Sequence, residues 1–262
     1  MNILEKIAAE KRRETEERKS LYPTKLLERS IYFETPIVSL KKYLSRTDKS
    51  GIIAEFKRKS PSKGMINAYA SVEEVTIAYM QAGASALSVL TDEAFFGGTS
   101  KDLITARQFN FCPILRKDFV LDEYQILESK SIGADAVLLI AACLTKNEVK
   151  TLTGFAHSLG LEVLLELHDE SEIGHIPGEN VLVGINNRNL QTMQTDVETS
   201  FRMIGRLPSG MVKVSESGIS NAEKIGELRA AGFQGFLIGE YFMQSSDPGA
   251  RCKELTINLK QP

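Results

Sequence analysis

Cysteine and histidine are scarce in this 262-residue chain, with three of each. Cys112, Cys143 and Cys252 stand far apart with no CxxC pair, which argues against a disulfide framework or a zinc site and fits a reducing compartment. His157, His168 and His175 show no HExxH spacing, so no metal is expected. Charge of one sign is lacking too. The 32 Lys and Arg against 34 Asp and Glu leave a net charge of −2, without the basic excess that nucleic-acid binding draws on. Any anionic ligand must then be held by a local cluster. No run approaches the roughly 18 apolar residues of a membrane span. The N-terminal "MNILEKIAAEKRRETEERKS" has no apolar core of about 7–15 residues, so it is not a secretory signal. A cytoplasmic location is expected.

What is present reads as a globular α/β protein. Hydrophobic residues make up 42% and charged residues 25%, and the length suits a single α/β barrel. Ile3, Leu4, Ile7 and Ala8 share one helical face, and the mixed charges from Glu10 to Lys19 read as its solvated continuation. Residues 1–50 are therefore taken as an N-terminal helical extension and 51–262 as one catalytic domain.

From Gly51 the chain alternates. Eight apolar runs of strand length occur: "GIIAEF", "SALSVL", "PILRKDF", "DAVLLIA", "LEVLLEL", "VLVGINN", "MVKVSES" and "GFLIG". Helical periodicity fills most of the gaps. Ser71 with Glu74 and Ser220 with Glu223 match capping boxes, while Gly83, Gly133, Gly160 and Gly232 sit where a left-handed residue would end a helix. Strands alternating with helices imply parallel pairing, and eight such units close naturally into a (β/α)8 barrel. An open doubly wound sheet is the rival, but neither GxGxxG nor GxxxxGK[ST] is present.

Alternate residues of a barrel strand point inward, and active sites gather at the strands' C-terminal ends. By parity Ile53, Glu55 and Lys57 share the inner face, as do Leu115 and Lys117, with Asp118 opposite. The same holds for Leu164 with Glu166, Gly184 with Asn186, Val214 with Glu216, and Leu237 with Gly239, while Arg188 lies just beyond its strand. Carboxylates, amines and a guanidinium thus converge on one mouth, where their protonation would be mutually coupled. An ion-pair network that merely fills the barrel top is the competing reading, though burying so many charges for packing alone is unfavourable. Gly218 and Gly239 follow strands seven and eight, where barrels often bind phosphate; each could also be a simple turn residue. Ser62 in "SPSKG" is a hydroxyl donor or a cap. Phe95, Phe96 and Phe119 follow strands two and three and are candidates to pack on a flat ring or on the core.

At this point "AEFKRKSPSKG", "VLTDEAFFGG", "ILRKDFVLDEYQI", "LLELH", "GINNRNL", "VSESGI" and "FLIGEYFM" resemble, in order, the indole-3-glycerol phosphate synthases of tryptophan biosynthesis. The resemblance implies a (β/α)8 lyase without a cofactor. It closes, decarboxylates and dehydrates 1-(2-carboxyphenylamino)-1-deoxyribulose 5-phosphate to indole-3-glycerol phosphate, carbon dioxide and water. Carried over by motif, Lys117 is the general acid for closure and Glu166 the base in dehydration. Lys57 is a cation for the substrate and a candidate second acid. Glu55 and Glu216 tune the lysines, and Asn186 and Arg188 bind hydroxyl and anionic groups. Ser60, Leu190, Ser217, Gly218, Leu237, Gly239 and Glu240 line the substrate and phosphate sites, and Phe96 and Phe119 sandwich the aromatic ring.

Three departures stand out: Asn189 where the family more often has Asp, Glu240 where some members have Ser, and the bulky Tyr241 and Phe242. The partner expected is a small phosphorylated aromatic substrate, with no nucleic acid and no membrane; a monomer is compatible with the sequence. A phosphoribosylanthranilate isomerase-like barrel is the nearest alternative, but it resembles a Cys base at the first strand's end, where Glu55-Phe56-Lys57 stand here. The non-catalytic alternative is a barrel that binds a phosphorylated metabolite without turnover.

Overall fold

The computed structural model describes residues 3–178, 180–190 and 192–259. All eight apolar runs become parallel strands, and these close into a barrel. They are β1 (Ile52–Phe56), β2 (Ala86–Leu90), β3 (Ile114–Lys117), β4 (Ala136–Ile140), β5 (Glu162–Leu167), β6 (Leu182–Asn186), β7 (Lys213–Glu216) and β8 (Gly235–Ile238). β1 pairs with β2 through Ile53↔Ala86 and with β8 through Ile52↔Phe236, so the sheet meets itself and the open-sheet rival falls. A small hairpin, Lys59–Ser60 with Gly64–Met65, follows β1 and was not foreseen.

Period-two alternation sorts the side chains. Ile53, Ala86, Leu115, Leu138, Leu164, Leu182, Val214 and Leu237 fill the barrel. Their neighbours, such as Ile52, Leu87, Ile114, Val137, Val163, Val183 and Phe236, pack outward under the helices. Both faces are buried, which explains why the strands read as almost unbroken apolar runs.

Glycine ends the crossover helices as expected: Gly83, Gly133, Gly160 and Gly232 have φ of 94°, 92°, 74° and 112°. The starts need correction. Ser71 caps its helix by accepting from Glu74 N, but the reciprocal boxes are at Thr99/Asp102 and Thr145/Glu148. Ser220 is not a cap. Asn221 takes that position, accepting from Lys224 N at 2.8 Å, because Asn serves as well and the helix begins one residue later. Among its described residues, the crossover from β5 to β6 holds only a 3-10 segment, Glu170–His175.

The N-terminal segment reaches both ends of the barrel. Leu40 and Leu44, on a short helix, join the inner cluster, and a Cβ on Gly235 at the start of β8 would stand 3.0 Å from Leu44. They plug the N-terminal end. Helix α1 (Ile3–Leu21) instead lays Ile3, Leu4 and Ile7 over the cavity at the opposite end. The expectation of a solvated charge run is wrong at Lys11, which is only 2% exposed. Its Nζ lies 2.9 Å from Asp92, 3.0 Å from Asp118 and 2.8 Å from Glu14. The outward parity of Asp118 is as expected, and Lys11 is one of its partners there.

Candidate active site

A cavity of about 640 Å³ opens at the C-terminal ends of the strands, and of the residues singled out for catalysis or substrate binding all but Phe95 line it. Glu55, Lys57 and Ser60 come from β1 and the hairpin, Phe96 from the turn after β2, and Lys117 and Phe119 from β3 and its loop. Glu166 comes from β5, and Asn186, Arg188 and Leu190 from β6 onward. Glu216, Ser217 and Gly218 come from β7, and Leu237, Gly239 and Glu240 from β8. The roof formed by Ile3, Leu4 and Ile7 was missed. Phe95 does not line the cavity; its backbone N–H is capped by Asp92 at 2.7 Å.

The charged groups are coupled. Lys117 Nζ lies 2.9 Å from Glu166 and 3.8 Å from Glu216, while Lys57 lies 2.9 Å from Glu55. Burial disfavours the Lys117 charge, but Glu166, Glu216 and Glu55 outweigh it and hold the ammonium firmly protonated. Burial also acts against the Glu166 charge, yet Lys117 and His168 keep that carboxyl well below its usual range. Glu216 goes the other way. Burial, then the neighbouring Glu166 charge, push its carboxyl well above the usual range. Its Oε1 is buried without a hydrogen-bond partner.

His168, which spacing did not flag, adjoins the site through Glu166. It stands just past β5 with Nε2 3.1 Å from Glu166 and Nδ1 3.7 Å from Glu172. The ring nitrogens are at ion-pair distance without hydrogen-bond alignment. Burial opposes the imidazolium, but the two carboxylates raise its pKa to about 9. It is therefore a cation behind Glu166 at neutral pH.

Two glycines make room for the carboxylates. A Cβ on Gly184 would lie 2.1 Å from Glu216 Oε1, and one on Gly239 would lie 2.4 Å from Glu55 Oε1. Both distances are far inside contact, so each inward glycine is the space a neighbouring strand's acid occupies. Gly184→Ala is expected to displace Glu216, lowering both kcat and stability, the latter by about 1–3 kcal/mol as for other overpacked cores. A thermal melt alongside turnover checks this; an unchanged melt would mean Glu216 relocates freely.

The loops complete the mouth. Ser217 is a non-glycine residue at φ 69°, held by Asn187 Nδ2 donating to its carbonyl at 3.0 Å. Its hydroxyl donates to Asn186 Oδ1 at 2.8 Å, and Arg188 N donates to the same oxygen at 3.0 Å. The Nδ2 hydrogens are the remaining donors of Asn186. Gly218 needs its φ of 79°, and a Cβ there would meet Thr195 at 2.7 Å. Phe96 and Phe119 lie 6.2 Å apart with planes tilted 37°. A ring held between two faces needs roughly 7 Å, twice a carbon contact, so here they form one wall rather than a slot. No group of three or more His, Cys, Asp or Glu among the described residues could hold a metal ion.

A family model described as indole-3-glycerol phosphate synthase matches residues 4–255. The chain belongs to the indole-3-glycerol phosphate synthase family. The enzyme of that name from Bacteroides thetaiotaomicron is 53% identical over 248 residues, covering 95% of each chain. The one from Polaromonas naphthalenivorans is 40% identical, covering 97% of this chain and 98% of its own. The family makes this chain a carboxy-lyase of tryptophan biosynthesis. More distant structures share the fold alone. They include 3-hexulose-6-phosphate synthase from Salmonella typhimurium (TM-score 0.62, 10% identity, covering 79% of this chain and 97% of that one). Thiamine phosphate pyrophosphorylase from Pyrococcus furiosus gives TM-score 0.60 at 15% identity, covering 85% and 98%. Among the described residues no helix is long and apolar enough to cross a membrane.

Proposed function

We propose that Lys117 and Glu166 are the acid and base that turn 1-(2-carboxyphenylamino)-1-deoxyribulose 5-phosphate into indole-3-glycerol phosphate in this barrel. The observation that carries this reading is their 2.9 Å contact inside the cavity, with the proton on the lysine and the carboxylate bare. Each is in the state its task requires. The ring carbon bearing the carboxylate attacks the C2′ ketone, and Lys117 protonates the oxygen as it becomes a hydroxyl. Loss of carbon dioxide restores the aromatic ring. The hydroxyl then leaves as water with acid help, and Glu166 accepts the proton released.

The remaining groups hold the substrate. Lys57 meets an anionic group, Glu55 and Glu216 tune the lysines, and Asn186 and Arg188 bind hydroxyl and anionic groups. Ser60, Ser217, Gly218 and Gly239 surround the phosphate, and Glu240 stands at its edge. Phe96, Phe119, Leu190 and Leu237 supply apolar surface for the ring, under the roof of α1. Holding the flexible chain folded brings ring carbon and ketone together, an advantage of orientation rather than of chemistry. The expected setting is the cytoplasm, with a small-molecule substrate as the partner.

Incubation with the substrate should give rising indole fluorescence. A folded chain that binds the substrate without product would sink the catalytic reading. Glu166→Gln should slow dehydration by about 10²–10⁴-fold, the usual share of a positioned base. An unaltered dehydration rate would hand the base role to another carboxylate.

A further inference from the structure

One acidic side chain at the mouth sits among cations from other loops. Glu240 Oε2 accepts from Arg188 Nη2 at 2.9 Å, and its Oε1 lies 3.9 Å from Lys63 Nζ. Arg188 also donates to Ser62 through Nη1. Ser62 and Lys63 follow β1, Arg188 follows β6 and Glu240 follows β8, and all line the cavity. Arg188 and Glu240 are only 18% and 25% exposed, so this is no loose surface pair. A guanidinium, steadied by Ser62, and an ammonium turned on one carboxylate make an anion site that the protein occupies with its own side chain.

We propose that Glu240 is an internal competitor for the substrate's phosphate. Its carboxylate fills the Arg188–Lys63 site in the empty enzyme and leaves when a phosphate takes its place. The proposal rests on the phosphorylated substrate assigned above. Charge lets phosphate win the site. A phosphate group brings about −1.5 to −2 against the single charge of the carboxylate it displaces. A ligand offering only another carboxylate gains nothing by the swap. Glu240 thus weakens every anion at this site by one common factor, set by the fraction of enzyme in which the carboxylate has left. The swap also unfastens the loop after β8 from Arg188, which then grips substrate together with the hairpin loop.

Inorganic phosphate titrated into the full chain tests this at constant ionic strength, by calorimetry. Glu240→Gln keeps the size and removes the charge. Phosphate should bind the variant about fivefold more tightly than the wild type, the upper end for a partly exposed ion pair. The KM of the substrate should fall with it, and acetate should gain by a similar factor. Glu240→Ser should act in the same direction and stands in should Gln disturb folding. Unchanged or weaker phosphate binding, in variants that melt as the wild type does, overturns the proposal and makes Glu240 a prop for Arg188. Phosphate binding is read without turnover, so this result is separate from whether the chain makes indole-3-glycerol phosphate.

Discussion

Lys117→Ala is expected to lower the rate of ring closure by about 10²–10⁴-fold, with the barrel still folded. The ammonium is 14% exposed, at the cavity wall, between Glu166 and Glu216. No other described cation touches both. The fold should survive for an electrostatic reason. Removing one member of a buried pair usually leaves a bare charge behind. Here Glu166 keeps the His168 imidazolium at 3.1 Å, and burial with the Glu166 charge pushes the Glu216 carboxyl toward its protonated form. The repulsion between the two carboxylates is thereby reduced. Residual closure would come from Lys57, whose ammonium lies 2.9 Å from Glu55 on the neighbouring part of the wall. Single-turnover indole fluorescence with a parallel melt measures both halves. A near wild-type closure rate would move the acid role to Lys57 or to Glu216, and Lys57→Ala and Glu216→Gln would tell them apart.

The site was legible because a barrel strand converts parity into position. Once "GIIAEF" is a strand ending at the mouth, Glu55 must share the inner face with Ile53, and the same logic places Lys117, Glu166, Asn186 and Glu216. Whatever depended on partners across loops was not legible. Gly239 reads as a place where a ligand approaches the backbone, yet the group crowding it is Glu55 from the other side of the barrel seam. Arg188 and Glu240 lie 52 residues apart, and only closure of β8 on β1 brings them and Ser62 together. Phe96 and Phe119 are expected near the mouth and line the cavity there, but their mutual angle depends on two loop conformations that periodicity does not encode. Lys11 is a different case, since its signal was available. It lies four residues after Ile7 and eight after Ile3, on the same helical stripe. The surrounding charges suggested solvent, whereas the spacing pointed to the barrel.

Lys11→Met should therefore be severely destabilising, by about 3–5 kcal/mol, the usual effect of breaking a buried ion pair. Met retains the length and apolar stem, so an empty cavity is not the cause. The ammonium bridges Asp92 and Asp118, whose side chains are 2% and 1% exposed. Asp92 keeps the N–H groups of Phe95 and Phe96, and Asp118 keeps Thr91 and Arg116, so the lower end of that range is favoured. For a domain of this size such a loss moves Tm by roughly 6–20 °C. The pH dependence separates charge from packing. Burial alone would raise the Asp118 carboxyl, but Lys11 and Arg116 hold it below its unfolded value. A depressed carboxylate contributes stability above its unfolded pKa of about 3.9 and loses it as the pH falls toward the folded pKa. The gap between wild type and variant should be full at pH 7 and shrink steadily below about pH 4. Activity should fall with stability, because the bridge ties α1 to the turns that carry Phe96, Lys117 and Phe119. A gap under about 1 kcal/mol, or one that does not change with pH, would mean that α1 is held by Ile3, Leu4 and Ile7 alone.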